Sequence, residues 1–203
     1  MTTVLLYAVT LPVILGGVAK LETVSTVPAP SVDWIAQRYL DNPIASILHI
    51  LPGLIFLAIG PLQFAPFVRN NYRKLHRMMG RLFIISGFIS AVAVIWMVFI
   101  FPAIGGALTQ IATTGANLLM IAFLWDAWRN ARAKRFARHR SSMIRAYAIG
   151  LSVSTARIFI HAGEWLFDLP FEASFTGASM IGVTLNIAVA EWVIRRRTAQ
   201  PAP

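Results

Sequence analysis

Four histidines, His49, His76, His139 and His161, are the side chains in this chain best suited to hold a metal-bearing group, because the sequence contains no cysteine. That absence excludes disulfides, thiolate zinc sites, iron–sulfur ligation and a cysteine nucleophile together, and leaves nitrogen or oxygen as the ligand of any metal. Imidazole is a common axial ligand of haem iron, and a bis-histidine haem b takes one nitrogen from each side of the porphyrin. Two histidines at one depth on different helices meet that requirement. The expectation is therefore one or two haem b groups.

The spacing around these residues carries a second pattern. His49, Gly53 and Gly60 recur 27 positions later as His76, Gly80 and Gly87, with the same internal separations of four and seven. On a helix such positions fall within about 40° of one another, so each histidine heads a stripe of glycine. A porphyrin plane needs neighbours without side chains there, and so do two closely packed membrane helices. His76-Arg77-Met78-Met79-Gly80-Arg81 is similar to His139-Arg140-Ser141-Ser142-Met143-Ile144-Arg145. Arginines in both stretches are placed to bind propionates as bidentate forks.

Arg157 lies inside an apolar run, where a cation must face protein, water or a bound anion. It shares a helix face with His161 and Glu164 at i, i+4 and i+7, which makes it a candidate for a propionate, a quinone carbonyl or an anionic substrate. Thr113, Thr114, Asn117 and Asn186 read as interhelical hydrogen-bonding groups, and Asp126 and Glu191 as partners of nearby arginines. No P-loop, His-Glu-x-x-His, Gly-x-Ser-x-Gly or dinucleotide fingerprint occurs, so hydrolysis and nucleotide-driven transport have no support.

These side chains need a scaffold, and composition defines it. The 203 residues are 57% apolar and 13% charged, with mean hydropathy +0.67. Soluble domains carry roughly 25% charge, so a water-soluble globule is excluded. Six apolar windows, roughly 3–19, 44–67, 82–103, 108–127, 143–162 and 176–194, are each long enough for a bilayer core of about 30 Å. Backbone groups in lipid must be satisfied within the segment, so all six are expected to be helices of one all-α transmembrane domain spanning 1–203. The first window has no basic residue before it and no small-x-small site after it, and reads as a true helix rather than a signal peptide.

A net charge of +10 would suggest nucleic acid in a soluble chain, but here the charges report topology. Arg69, Arg73, Lys74, Arg77 and Arg81 form one cluster; Arg129, Arg132, Lys134, Arg135, Arg138, Arg140 and Arg145 a second; Arg195, Arg196 and Arg197 a third. Together they hold 15 of the 18 basic residues. The positive-inside rule then places both termini in the cytoplasm and turns 20–43, 104–107 and 163–175 outward. Within 20–43, which contains Pro28, Pro30 and Pro43, the stretch from Trp34 to Leu40 reads as a short interfacial helix. Residues 198–203 read as disordered. On this topology His76 and His139 share the inner side and His49 and His161 the outer, which makes them the expected ligand pairs. His139 and His161 are 22 residues apart, so on one continuous helix they share a face at about 40° and stand ~33 Å apart in depth.

The stretch from His49 through Gly60-Pro61-Leu62-Gln63-Phe64 to Leu75-His76-Arg77-Met78-Met79-Gly80-Arg81, with His139 to Ala148 and Arg157, resembles the bacterial predicted membrane proteins grouped as domain-of-unknown-function family 2306. The likeness covers about residues 46–160 and implies a multi-helix inner-membrane protein. A looser architectural likeness links the chain to the four-helix transmembrane b-type cytochromes, from which it departs because the fourth segment supplies no histidine. The expected function is a haem b-binding membrane protein in transmembrane electron transfer, with a quinol as candidate donor and a larger respiratory complex as candidate partner. The competing expectation is a non-redox membrane protein, either an accessory subunit or a small-molecule carrier built around Arg157. Nucleic acid is not expected as a partner.

Overall fold

The computed structural model describes residues 2–26, 34–101 and 104–198. Pro28 and Pro30 lie outside the described residues, and of the 198–203 stretch expected to be disordered Thr198 ends the last helix while 199–203 lie outside them. The described chain is helical, with α1 (Thr2–Thr26), α2 (Trp34–Asp41), α3 (Pro43–Phe64), α4 (Pro66–Asn71), α5 (Arg73–Ile100), α6 (Gly106–Arg132), α7 (Phe136–Phe167) and α8 (Phe171–Thr198). Six of these, α1, α3, α5, α6, α7 and α8, are long and apolar enough to cross a membrane.

Local chemistry sets the breaks. Pro43 and Pro66 open α3 and α4, where the missing N–H belongs to a group that has no intrahelical partner in any case. Ala65, before Pro66, is driven into the extended region by the proline ring and ends α3. Gly105 and Gly106 take φ of +73° and +64°, a left-handed turn that directs the chain into α6. Asp168 closes α7 at φ +51°, with its N–H and that of Leu169 capping the carbonyls of Glu164 and Gly163, and Pro170 follows.

Helices α1, α6, α7 and α8 run past both ends of their apolar windows, so α1 continues to Thr26 through the start of the segment expected as a loop; α3 instead stops at Phe64, inside the 44–67 window, and α5 begins at Arg73 and ends at Ile100, before the end of its own. Arg73, Lys74, Arg77 and Arg81, expected in a loop, form the first turns of α5, and Phe136 to Ser142 form the first two turns of α7. Hydropathy windows end where charge begins, but helical hydrogen bonding does not. At 1.5 Å per residue the 32 residues of α7 span about 48 Å, so its ends project beyond a core of about 30 Å.

The chain divides into two compact units, residues 1–103 and 104–203. In the first, α3 packs against both α1 and α5. Phe56 stacks on Phe83 with ring centroids 4.2 Å apart, and the Tyr7 hydroxyl donates to the Ala58 carbonyl at 2.9 Å. In the second, α7 packs against both α6 and α8. Buried positions include Thr10, Ser46, Ser86, Ser90, Ser142 and Ser154, whereas Leu5, Leu15, Phe99, Ile111, Ile158 and Trp165 are exposed. Hydroxyl side chains thus share the interior with Phe56, Phe83 and Leu124, while large apolar side chains also cover the outside, as expected when lipid is the solvent.

Candidate functional site

In the first unit, His49 lies half-buried on α3 against α5. Its Nδ1 is 3.0 Å from Ser90 Oγ, and that hydroxyl is also 3.0 Å from the His49 carbonyl. Ser90 has one hydroxyl proton, and a carbonyl only accepts, so Ser90 donates to His49 O and accepts from His49 Nδ1–H. The neutral imidazole is thereby held as the tautomer whose lone pair is on Nε2. Gly53, one turn further along, permits this contact: a Cβ there would stand 3.1 Å from Ser90 Oγ.

The second glycine stripe is built the same way. A Cβ on Gly80 would stand 3.2 Å from Gln63 Oε1, and Gln63 is itself buried. Gly53 and Gly80 thus receive protein side chains across the α3–α5 interface, while Gly60 and Gly87 are buried on the same two helices. His76 is half-buried one turn before Gly80 on α5.

In the second unit, His139 is half-buried near the start of α7, and its Nδ1 is 2.8 Å from the Ala127 carbonyl on α6. Because that carbonyl can only accept, Nδ1 carries the proton and the neutral ring again has its lone pair on Nε2. His161 lies on the same helix near the other end. Its side chain is 74% exposed and its Nδ1 is 3.5 Å from Glu164, a surface pair of about 0–1 kcal/mol when the ring is protonated. Arg157 is exposed on α7, with Nη1 donating to the Val153 carbonyl of its own helix at 3.4 Å.

The polar groups between helices in this unit form a separate set. Arg145 on α7 grips Glu191 on α8 as a fork, Nη2 to Oε2 at 2.9 Å and Nε to Oε1 at 2.5 Å. Asp126 on α6, expected to meet an arginine directly, instead accepts the Ser142 hydroxyl at 2.6 Å. Asn186 reaches Thr155 across the α7–α8 interface at 3.1 Å, while Asn117 donates to Thr113 O within its own helix. Among the described residues no three His, Asp or Glu side chains stand together as a metal site.

Residues 46–194, covering nearly all of α3 through α8 and all four histidines, match the family described as Predicted membrane protein (DUF2306). The chain belongs to that family. No curated protein and no solved structure matches it.

Several residues that organise the DUF2306 chain were not singled out from sequence. Ser90 and the Ala127 carbonyl set two histidine tautomers, yet they lie 41 and 12 positions from those histidines. Ala178, Gly182 and Ala190 fall in a four-residue register with Asn186, the one member already picked out, and a search of the last segment for small residues would find the other three. Three of the four are buried, and a Cβ on Gly182 would stand 2.9 Å from the Ser152 carbonyl oxygen.

Proposed function

We propose that this DUF2306 protein binds haem b through histidine Nε2 atoms and takes part in electron transfer in a bacterial inner membrane, with a quinol as donor. The observation that carries this reading is the pair of defined tautomers. His49 and His139 each donate Nδ1–H to a protein acceptor, the arrangement that orients an imidazole and raises the basicity of Nε2 as a ligand. When bound, haem supplies one-electron chemistry; the protein's part is to hold and orient the axial nitrogens. The 15-of-18 basic asymmetry supports cytoplasmic termini. A periplasm-dependent reporter fused after residue 198 should stay silent, and a signal would reverse the orientation.

The decisive measurement is the visible spectrum of the full chain purified in mild detergent from cells with ample haem. A reduced b-type α band is expected, and a colourless preparation would remove the reading. His49→Ala and His139→Ala should each lower haem content. Ser90→Ala should weaken haem retention about 10–100-fold while leaving His49 in place, because the orienting partner is lost.

The exposed position of Arg157 supports a second reading, in which the protein is an accessory subunit or a small-molecule carrier. A colourless preparation that co-purifies with a partner protecting Arg157 from guanidine-directed labelling would favour it.

A further inference from the structure

A cleft of about 560 Å³ opens in the second unit where α6, α7 and α8 meet at the basic end of the helices. Its polar wall includes Asp126, Arg138, Arg140, Ser142 and Arg145. Two of these side chains are already committed: Asp126 to Ser142, and Arg145 to Glu191. Arg138 and Arg140 form no ion pair among the described residues. The cleft is therefore lined by the guanidinium groups of Arg138, Arg140 and Arg145 against the one negative charge of Asp126, which a hydrogen bond from Ser142 does not neutralise, and its lining keeps an excess of positive charge. The first turn of α7, from which Arg138 extends, adds the partial positive charge of its unpaired N–H groups.

Two arginine forks beside a helix start call for a compact anion with several acceptor oxygens, and phosphate matches that geometry. Ile144 on α7 and Ile194 on α8 add apolar lining to the cleft. An amphiphile could place its phosphate on the arginines and its chains along the isoleucines. Basic pockets between membrane helices bind lipid headgroups by this combination.

We propose that Arg138 and Arg140 bind a phosphate group in this cleft, borne by an anionic phospholipid or present as free phosphate. The test uses the full chain, delipidated in neutral detergent, with the thermal midpoint followed against phosphatidylglycerol, phosphatidylcholine or inorganic phosphate. A saturable rise with phosphatidylglycerol alone assigns a lipid headgroup, and an equal rise with inorganic phosphate assigns a soluble anion. Either supports the site. Arg138→Gln with Arg140→Gln should weaken that response at least about tenfold, one or more charge-assisted hydrogen bonds being lost. Arg129→Gln with Arg132→Gln removes the same charge from α6 outside the cleft and should change it less than about threefold. Equal loss in both double variants, an equal response to phosphatidylcholine, or no saturable response to either anion would overturn the proposal.

Discussion

Gly182→Ala should lower stability by about 1–3 kcal/mol, and Gly182→Leu by about 3 kcal/mol or more, read as unfolding of the full chain in mild detergent. Gly177→Ala, five residues away on the same helix, should raise stability by about 0.5–1 kcal/mol. The opposite signs follow from two competing effects. Alanine gains over glycine in any helix because it restricts the unfolded backbone, and at Gly177 nothing stands within 4 Å of the new methyl group to oppose that gain. At Gly182 the methyl group would stand 2.9 Å from Ser152 O and 3.1 Å from Ala156 N. Both are backbone atoms of α7, which cannot rotate away as a side chain could, so the two helices must separate. Separation also stretches the Thr155–Asn186 hydrogen bond one turn along. Equal responses at the two glycines would show that α7 and α8 do not meet at this point.

Arg145→Met should cost about 2–3 kcal/mol, because it leaves the Glu191 carboxylate half-buried at the α7–α8 interface with its fork removed. The pair is 28% and 31% exposed, which sets the estimate below that of a fully buried pair and above that of a surface one. Arg145→Lys keeps the charge but replaces two parallel hydrogen bonds by a point contact, and about half of that loss is expected. Arg145→Met combined with Glu191→Met should return close to the parent stability or exceed it, since both desolvation costs disappear with the attraction. The rank order is thus double variant and parent together, then Arg145→Lys, then Arg145→Met. A double variant as unstable as Arg145→Met would mean that Arg145 acts through some group other than Glu191, such as the Phe123 ring whose centroid lies 5.7 Å away.

The six long helices and their membrane character were legible in the residues alone. Transfer of an apolar run from water to lipid depends on composition over about twenty residues, and backbone satisfaction in lipid leaves the helix as the form for such runs. The turn expected at 104–107 is also local, since Gly105 and Gly106 accept positive φ, whereas the break at Pro66 fell inside the 44–67 window, because hydropathy does not register the lost N–H of a proline. The charged ends of α5 and α7 were not legible, because hydropathy falls at Arg81 and Arg145 while the helical hydrogen-bond ladder continues. Nor could periodicity name the partners. The stripe of His49 and Gly53 identified a face of α3, but the rotation of α5 against it decided that Ser90 fills the space and thereby selects the imidazole tautomer. Asp126 and Glu191 had arginines nearby in sequence terms, yet only packing allotted Arg145 to Glu191 and Ser142 to Asp126. Local energetics determine which segments are helical and where they lie in the bilayer. Which side chains meet depends on helix rotation and closest approach, which small residues such as Gly182 permit and the tertiary structure alone decides.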